Sequence, residues 1–398
     1  MPESLRYHLE RQDDPVISES TGMALSHAQG RLDDLSREVF GVMGLPLDAL
    51  DLPRLLQILK IKIDSKTPFL LSTPNVNFLI MSRSDRAFRE SLLMSDLCPV
   101  DGMPLVWIAR LLGIPIKERL SGSDIFDALR SSKKTGFQLE VFLFGGAEDA
   151  VESVSKKLNI EADGMKCVGA LNPGFGTIED MSSDGILRSI NASGADLLSV
   201  FLSASKAQAW LLLNHDRLQI PVRAQFGSAI NYQAGKVRRA PEVFRRLGLE
   251  WLWRIKEEPY LWRRYWTDGG SLAKLFLTCV VPLSISHQWW RLVGGRKDDH
   301  LFVEVSESQC GVLVKVSGSA VAANANLAVS RFRNALQTKK DVLIDLADAR
   351  RIDARFFGLF LMVRKQLMQR GCSLRFQGVT PRLARSFRFN GFGYLLDY

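Results

Sequence analysis

Apolar runs in the central part of the chain are each followed by a polar cluster and then by a helical pattern. Phe69–Leu71 is a short apolar run that stops at the polar residues 72–75, which predicts a buried strand ending in a turn. Apolar residues then recur at helical spacing over 76–94 and again up to residue 112. A third polar cluster at 118–124 precedes another helix. Polar side chains therefore stand at each point where a strand or loop enters a helix.

The same alternation continues downstream. Strands are predicted at 139–144, 166–168 and 195–202, with helices over 150–158 and up to about residue 193. Strands that alternate with helices are typical of a mostly parallel sheet covered by helices on both faces, so we predict a Rossmann-like α/β fold. In such a sheet the carboxyl ends of the strands meet at one edge, where ligands bind.

The two ends of the chain differ from this core. Residues 1–35 are polar and charged and lack a secretory signal, so residues 1–45 are predicted to form a variable tail. Apolar residues recur at helix-like spacing from 39 to 59, with Pro46 and Pro53 interrupting, which predicts the entry to the first domain. A linker is predicted at 294–299. Beyond it a smaller α/β domain is predicted at 300–398, with strands at 302–305, 312–317, 341–346 and 373–377 and helices at 326–337, 352–370 and 381–388.

Composition narrows the class of protein. The chain has 398 residues, 46% of them apolar and 24% charged, which indicates a folded protein of two or more domains. Its net charge of +9 favours an anionic partner: a nucleotide, a nucleic acid or an anionic membrane surface. The five cysteines and five histidines are scattered, which argues against a disulfide framework or a zinc site.

The three polar clusters offer complementary chemistry. Thr73 and Asn75 carry a hydroxyl and an amide that suit sugar or phosphate oxygens. Asp101 precedes a glycine, so its carboxylate stands on an uncrowded turn and can accept a proton. Arg119 has the planar donor fork that suits a phosphate. Each of these clusters, taken singly, is also typical of an ordinary turn or helix cap with no role in binding or catalysis.

In this order the clusters TPNVNFL, PVDGMPLVWIARLLG and ERLSGSD resemble the WecG/TagA/CpsF family of bacterial glycosyltransferases. The resemblance extends over about residues 50–266 and includes the further blocks VFLFGG, LNPGFG, INASGADLLSV, AGKVRRAP and GLEWLWRIKEEPYLWRRY. It implies a transferase domain at 46–235. It also implies an enzyme that moves a hexose or N-acetylhexosamine from a UDP-sugar to a polyprenyl-diphosphate-linked acceptor, with inversion, in surface polysaccharide biosynthesis.

The resemblance assigns a role to individual residues. Asp101 would be the general base, Thr73 and Asn75 would position the substrates, and Arg119 would hold the diphosphate. Gly145 and Gly146 form a glycine turn after a strand, which lets the backbone approach a phosphate or a base.

A family run after the strand at 195–202 faces the sugar nucleotide, and it places Lys206 and Gln208 in the donor site. The chain departs from the family pattern at Ala207, Gln208 and Asn231, which removes negative charge. These departures support an alternative hypothesis, a non-catalytic regulator or scaffold built on a degenerate transferase domain.

Residues 236–293 are basic and rich in tryptophan. Arginine with tryptophan suits either single-stranded nucleic acid or a membrane interface. The resemblance favours the membrane, and it implies acceptor or headgroup contacts by Arg238, Arg239, Arg263 and Arg264. We therefore expect a peripheral protein on the cytoplasmic face of the membrane and no nucleic acid. The segment 272–290 is predicted to be an interfacial helix. No Asp-x-Asp motif occurs, so we expect no metal or other cofactor.

The C-terminal stretch DVLIDLADARRIDARFFGLFLMVRKQL resembles a STAS domain, the fold of anti-sigma-factor antagonists. In signalling members a phosphorylated serine or threonine follows the aspartate at the helix start. Here Asp353 is followed by Ala354, so we expect a docking role, with a possible protein partner, rather than a phosphorylation switch.

Overall fold

The computed structural model describes residues 33–131, 138–161, 163–293, 300–309 and 311–397. The predicted linker at 294–299 and most of the predicted tail therefore lie outside the described residues. The strands are β1 Val39–Val42, β2 Leu45–Asp48, β3 Phe69–Leu71, β4 Leu139–Gly145, β5 Met165–Leu171, β6 Leu197–Phe201, β7 Val222–Gln225, β8 Leu301–Glu307, β9 Val312–Ala320, β10 Val342–Asp345, β11 Ala349–Ile352 and β12 Leu374–Gln377.

The helices of the first two thirds of the chain are α1 Leu52–Asp64, α2 Val76–Ser84, α3 Arg86–Met94, α4 Met103–Leu111, α5 Gly122–Arg130, α6 Glu148–Glu161, α7 Asp184–Ala192, α8 Ala204–Leu213, α9 Ala229–Gln233, α10 Glu242–Arg246 and α11 Glu250–Glu257. They are followed by α12 Trp262–Leu275, α13 Val281–Val293, α14 Ala325–Gln337, α15 Ala354–Met368 and α16 Pro381–Phe389. The chain forms two compact units. The central unit consists of residues 47–277, and the C-terminal unit of residues 33–46 and 278–397.

The central unit is built on a five-stranded parallel sheet in the order β3-β7-β6-β4-β5. Helices cover both faces: α7 and α8 pack on the face that carries Phe144 and Val200, while Phe126 of α5 packs against Phe201 on the other. The predicted α/β fold is confirmed. Because β5 and β6 lie on opposite sides of β4, the strand order changes direction there, and the carboxyl ends of β4 and β6 mark the position where open α/β sheets usually bind ligands.

Two local predictions for the central unit differ from the structure. The helix predicted over 76–94 is broken at Asp85, whose carboxylate accepts a hydrogen bond from the amide of Phe88 at 3.0 Å and so caps α3. Strand β7 carries the buried polar residues Arg223 and Gln225 and was not recognised from its pattern.

Between residues 242 and 293 the chain is mostly helical. A π-helical turn at Phe276–Val280 precedes Pro282, which has no amide proton with which to continue the α-helical ladder. By length and composition alone, the helix Pro259–Trp290 is long and apolar enough to cross a membrane, with 32 residues and a mean hydropathy of 1.4 in its most apolar window.

The C-terminal unit contains a second five-stranded sheet. Strands β9, β10, β11 and β12 are parallel, and β8 pairs with β9 in the antiparallel direction. Helix α15 is buried along most of its length. The predicted strands and helices of this unit are present, and the structure adds β11, a short strand between the strand predicted at 341–346 and the helix predicted at 352–370.

The predicted tail requires a correction for residues 33–45. Strands β1 and β2 form a hairpin around Met43 and Gly44, which both have positive φ angles of 51° and 95°. Such a two-residue turn suits a hairpin. The apolar residues from 39 onward are spaced as in a helix, so the pattern favours a helix there. The turn at Met43 could not be predicted, because methionine rarely adopts a positive φ angle. The hairpin packs on α15, so these residues belong to the C-terminal unit.

Candidate active site

Three loops meet at the carboxyl edge of the central sheet, as predicted. The loop after β3 contains Thr73 and Asn75, and Asn75 caps α2 by accepting a hydrogen bond from the amide of Phe78 at 3.2 Å. The amide of Asp101 donates to the carbonyl of Pro74 at 2.8 Å. The amide of Leu120 donates to the carbonyl of Val100 at 2.7 Å, which brings the Arg119 loop to the Asp101 loop. Backbone hydrogen bonds thus hold all three clusters together.

Asp101 stands at the amino end of α4. Gly102, with φ +134°, follows it, and a Cβ there would lie 3.8 Å from the Cβ of Asn75. Burial raises the pKa of Asp101 to about 7, Arg119 opposes this rise, and the negative charges of Glu250 and Asp124 reinforce it. Near neutral pH, a carboxyl group with that pKa is deprotonated in a substantial fraction of the molecules, and its carboxylate is a stronger base than that of an ordinary aspartate. Both properties suit a general base.

Arg119 lies between two carboxylates. It donates to Asp124 at 3.0 Å and forms an ion pair with Glu250 of α11. Burial alone would raise the pKa of Asp124, but Arg119, the hydroxyl of Ser121 and Arg239 outweigh burial and hold the pKa below its usual range. Asp124 is therefore an anion that fixes Arg119 in place beside Asp101.

The predicted acceptor arginines occupy different environments. Arg239 forms ion pairs with Asp124 and with Asp127, the latter at 2.5 Å, and so belongs to the network around Arg119. Arg238 is exposed, and Arg263 and Arg264 are exposed beside the rings of Trp262 and Tyr265, at 5.6 and 5.2 Å from the ring centroids. These three side chains remain open to a ligand or a surface.

The glycine turn lies at the carboxyl end of β4. Gly145 ends β4 and Gly146 follows it, with φ angles of +85° and +86°, and a Cβ on Gly145 would lie 2.8 Å from Leu202. Only glycine fits this conformation without strain, and the turn exposes backbone at the carboxyl edge of the sheet.

Lys206 and Gln208 share α8 but differ in exposure. Lys206 is exposed and donates to the carbonyl of Gly176 at 3.1 Å. Gln208 was predicted to contact the substrate, yet it is 1% exposed and donates to the hydroxyl of Ser72 at 2.8 Å. It therefore lies behind the Thr73 loop and supports that loop from the core.

Glu250, Tyr232 and Arg254 also belong to the surroundings of Asp101 and Arg119, and they are not among the residues predicted from the sequence. Arg254 lies over the ring of Tyr232, 5.7 Å from its centroid, and donates to Glu258 at 2.9 Å. Both Glu250 and Arg254 act on the pKa of Asp101, in opposite directions. In the sequence, Glu250 and Arg254 lie in the block GLEWLWRIKEEPYLWRRY, which contains three glutamates and three arginines, so nothing in its composition singles out these two.

Helix α12 contacts α2, the helix that follows the Thr73 loop: the side-chain amide of Asn77 in α2 donates to the carboxylate of Asp268 in α12 at 3.3 Å. Across the described residues, no group of three or more His, Cys, Asp or Glu side chains is arranged to hold a metal ion. The charges beside Asp101 are instead those of arginines and carboxylates.

Comparison with known proteins agrees with this geometry. The sequence model of the glycosyl transferase WecG/TagA/CpsF family matches residues 40–282, more than half of the chain. The chain belongs to the WecG/TagA/CpsF family of glycosyltransferases. The matched range contains every predicted site residue. Residues 303–397 match the model described as Mlab, STAS domain, which confirms the predicted second domain.

Curated relatives of the WecG/TagA/CpsF domain include transferases of several bacteria. The chain is 26% identical over 204 residues to an N-acetylglucosaminyldiphosphoundecaprenol N-acetyl-beta-D-mannosaminyltransferase of Bacillus subtilis strain 168, covering 51% of this chain and 77% of that protein. It is 23% identical over 192 residues to the protein of the same name in Staphylococcus aureus strain MW2, covering 48% of this chain and 72% of that protein.

Proposed function

We propose that this glycosyltransferase moves a hexose or N-acetylhexosamine from a UDP-sugar to a polyprenyl-diphosphate-linked saccharide during bacterial surface polysaccharide synthesis. The observation that carries the proposal is the position of Asp101, whose pKa is raised to about 7, within the electrostatic influence of Arg119, a cation fixed by Asp124 at the carboxyl edge of the sheet. The names of the relatives, which act on a diphosphoundecaprenol-linked sugar, support the acceptor class.

The proposed reaction is a single displacement. The acceptor hydroxyl oxygen attacks the anomeric carbon, its proton passes to the Asp101 carboxylate, and the bond between that carbon and the UDP oxygen breaks. The configuration at the anomeric carbon inverts. Arg119 would stabilise the negative charge that develops on the leaving diphosphate.

The other predicted residues have supporting roles in this proposal. Thr73 and Asn75 would position the sugars, while the glycine turn and Lys206 would face the nucleotide. Arg238, Arg263 and Arg264 would reach acceptor phosphates or headgroups. No cofactor is required by this scheme. The enzyme would act as a peripheral protein on the cytoplasmic face of the membrane, where its lipid-linked acceptor lies.

A donor screen tests the proposal. The full chain in detergent would be mixed with a panel of UDP-sugars, including UDP-N-acetylmannosamine, and a short-chain polyprenyl-diphosphate-linked N-acetylglucosamine, and UDP release would be measured. We expect release that depends on the acceptor and is at least about 100-fold slower in Asp101→Asn, as for loss of a general base.

Asp216→Asn is the matched control. Asp216 is an exposed carboxylate between α8 and β7, at the opposite edge of the sheet, so its loss should leave the rate unchanged. Full activity of a folded Asp101→Asn variant would remove the base assignment. Absence of release with every donor, from folded wild-type protein, would favour the scaffold hypothesis instead.

A further inference from the structure

Most of the net positive charge of the chain comes from its C-terminal domain. Residues 301–398 contain 15 Lys and Arg against 7 Asp and Glu, so they carry +8 of the net charge of +9. The transferase residues, basic around 236–266, are balanced elsewhere by acidic residues. The proposed transfer reaction does not explain this excess of positive charge, because the predicted site residues all lie before residue 265.

Part of this charge is neutralised within the C-terminal unit. Lys315 pairs with Asp348 at 2.7 Å, Lys340 with Glu307 at 2.8 Å, and Lys365 with Asp34 at 3.3 Å. Asp353, the acidic residue nearest to β11, is used as the cap of α15 and accepts from the amides of Arg355 and Phe356. These carboxylates already have partners.

Helix α16 presents three of the remaining arginines on one face. Leu383 and Phe387 are buried, with 2% and 0% of their surface exposed, and they define the inner face of the helix. Arg382, Arg385 and Arg388 are exposed. At about 100° per residue, these arginines fall on the opposite side of the helix from Leu383 and Phe387. From Ala354 to the end of the chain, Asp397 is the one acidic residue in the sequence.

One tryptophan side chain, that of Trp290, lies beside this arginine face. The ring of Trp290, near the end of α13, has the guanidinium of Arg351 at 5.6 Å and that of Arg382 at 5.2 Å from its centroid. On the same helix Ile285 is 64% exposed and Trp289 is 62% exposed. They are four residues apart and so lie on one face of α13.

We propose that this surface, formed by Arg351, Arg382, Arg385, Trp290, Trp289 and Ile285 and called here the arginine–tryptophan surface, binds an anionic lipid bilayer. Clustered arginines attract anionic headgroups, and tryptophan prefers the depth of those headgroups. Ile285 distinguishes a bilayer from a nucleic acid, because an exposed aliphatic side chain gains from contact with acyl chains and cannot stack on bases. The proposal concerns the C-terminal domain and does not depend on the transfer reaction.

Continuity with a neighbouring apolar element supports this choice of partner. Trp289 and Trp290 end the helix Pro259–Trp290, in whose most apolar window 11% of the residues are buried. The arginine–tryptophan surface therefore adjoins a helix that already offers apolar side chains to its surroundings.

The test is binding of the full chain to vesicles of phosphatidylcholine alone or mixed with phosphatidylglycerol. We expect binding to the mixed vesicles that falls as salt is raised. The double variant Arg382→Ala/Arg385→Ala should bind roughly 10- to 30-fold more weakly, since each cation near such a surface adds about 1 kcal/mol. Trp289→Ala should weaken binding without changing its salt dependence.

The matched control is Lys339→Ala/Lys340→Ala, which removes the same charge from the turn before β10, at the amino edge of the same sheet. Its binding should stay within about twofold of wild type. A second variant, Arg382→Lys/Arg385→Lys, keeps the charge and should retain binding, which separates lost charge from lost folding.

Three outcomes would overturn the proposal. One is equal binding by both alanine double variants, and another is wild-type binding that does not require phosphatidylglycerol. The third is tight binding to single-stranded oligonucleotides that the arginine variants lose, with none to vesicles. UDP release on a detergent-dispersed acceptor should be the same in all these variants, so failure here is distinguishable from failure of the proposed transferase function.

Discussion

At the scale of single residues, the site depends on opposing charges around one carboxyl group. Burial raises the pKa of Asp101 to about 7, Arg119 lowers it, and Glu250 raises it. Glu250 also forms an ion pair with Arg119, so it weakens the main group that opposes the rise. Glu250 therefore raises the pH below which Asp101 becomes protonated.

This arrangement predicts the pH dependence of the enzyme. Only deprotonated Asp101 can accept a proton, so kcat/KM should rise with pH and level off above about pH 7. Glu250→Gln removes a negative charge that raises the pKa of Asp101, so the acid limb should move to lower pH. We expect roughly threefold higher kcat/KM than wild type on that limb, after normalising each enzyme to its plateau.

Glu257→Gln is the control for this measurement. Glu257 lies on the same helix as Glu250 but accepts from the amide of Arg238 and is not among the charges that act on Asp101. Its pH profile should match that of wild type. An acid limb that stays in place in Glu250→Gln, or that moves to higher pH, would contradict the role given to Glu250.

The site could be predicted from sequence only where a general rule of folding applies. Thr73, Asp101 and Arg119 each follow a strand or loop before a helix, and parallel sheets bring such positions to one edge. Glu250 reaches Arg119 from 131 residues further along the chain, and no local pattern encodes that contact. Gln208 was recognised as polar, but its burial against Ser72 depends on the packing of α8.

At the scale of secondary structure elements, one glycine shows how a helix accommodates a neighbour. Gly358 lies inside α15, where glycine is a poor helix former. A Cβ at this position would overlap the carbonyl oxygen of Val39 in β1. Gly358 thus allows the N-terminal hairpin to approach the helix backbone. Periodicity alone could not reveal this, because it describes one element and not what packs on it.

Gly358→Ala should therefore destabilise the protein, although alanine favours helix more than glycine does. The expected loss is about 1–3 kcal/mol from the clash, measured by chemical denaturation. Limited proteolysis should show faster cleavage within residues 33–50, since the hairpin would be displaced from α15.

Gly269→Ala is the matched control. Gly269 lies in α12, and a Cβ there would have no heavy atom within 4 Å. That substitution should stabilise the helix by up to about 1 kcal/mol. If both substitutions stabilised the protein, the close approach of the hairpin to α15 would not constrain this helix.

At the scale of the whole molecule, residues 33–46 fold together with the C-terminal part of the chain. Arg37 is 1% exposed and donates to Asp34 at 2.6 Å, while Lys365 of α15 is fully buried and donates to the same carboxylate at 3.3 Å. The sequence placed residue 34 in a variable tail because the stretch before residue 39 is polar. A contact across 331 residues cannot be inferred from local composition, whereas the strands and helices of the C-terminal domain could.

The carboxylate of Asp34 should therefore contribute more to stability than its neighbour on the same segment. Asp34→Ala removes a shared partner of two buried cations, and such a loss costs about 3–5 kcal/mol. Asp33 instead pairs with Arg333, which is 43% exposed, so Asp33→Ala should cost at most about 1 kcal/mol. Chemical denaturation of the full chain would compare the two. Equal effects would mean that the N-terminal segment does not stabilise the C-terminal unit through its buried charges, and that the hairpin is held by apolar contacts alone.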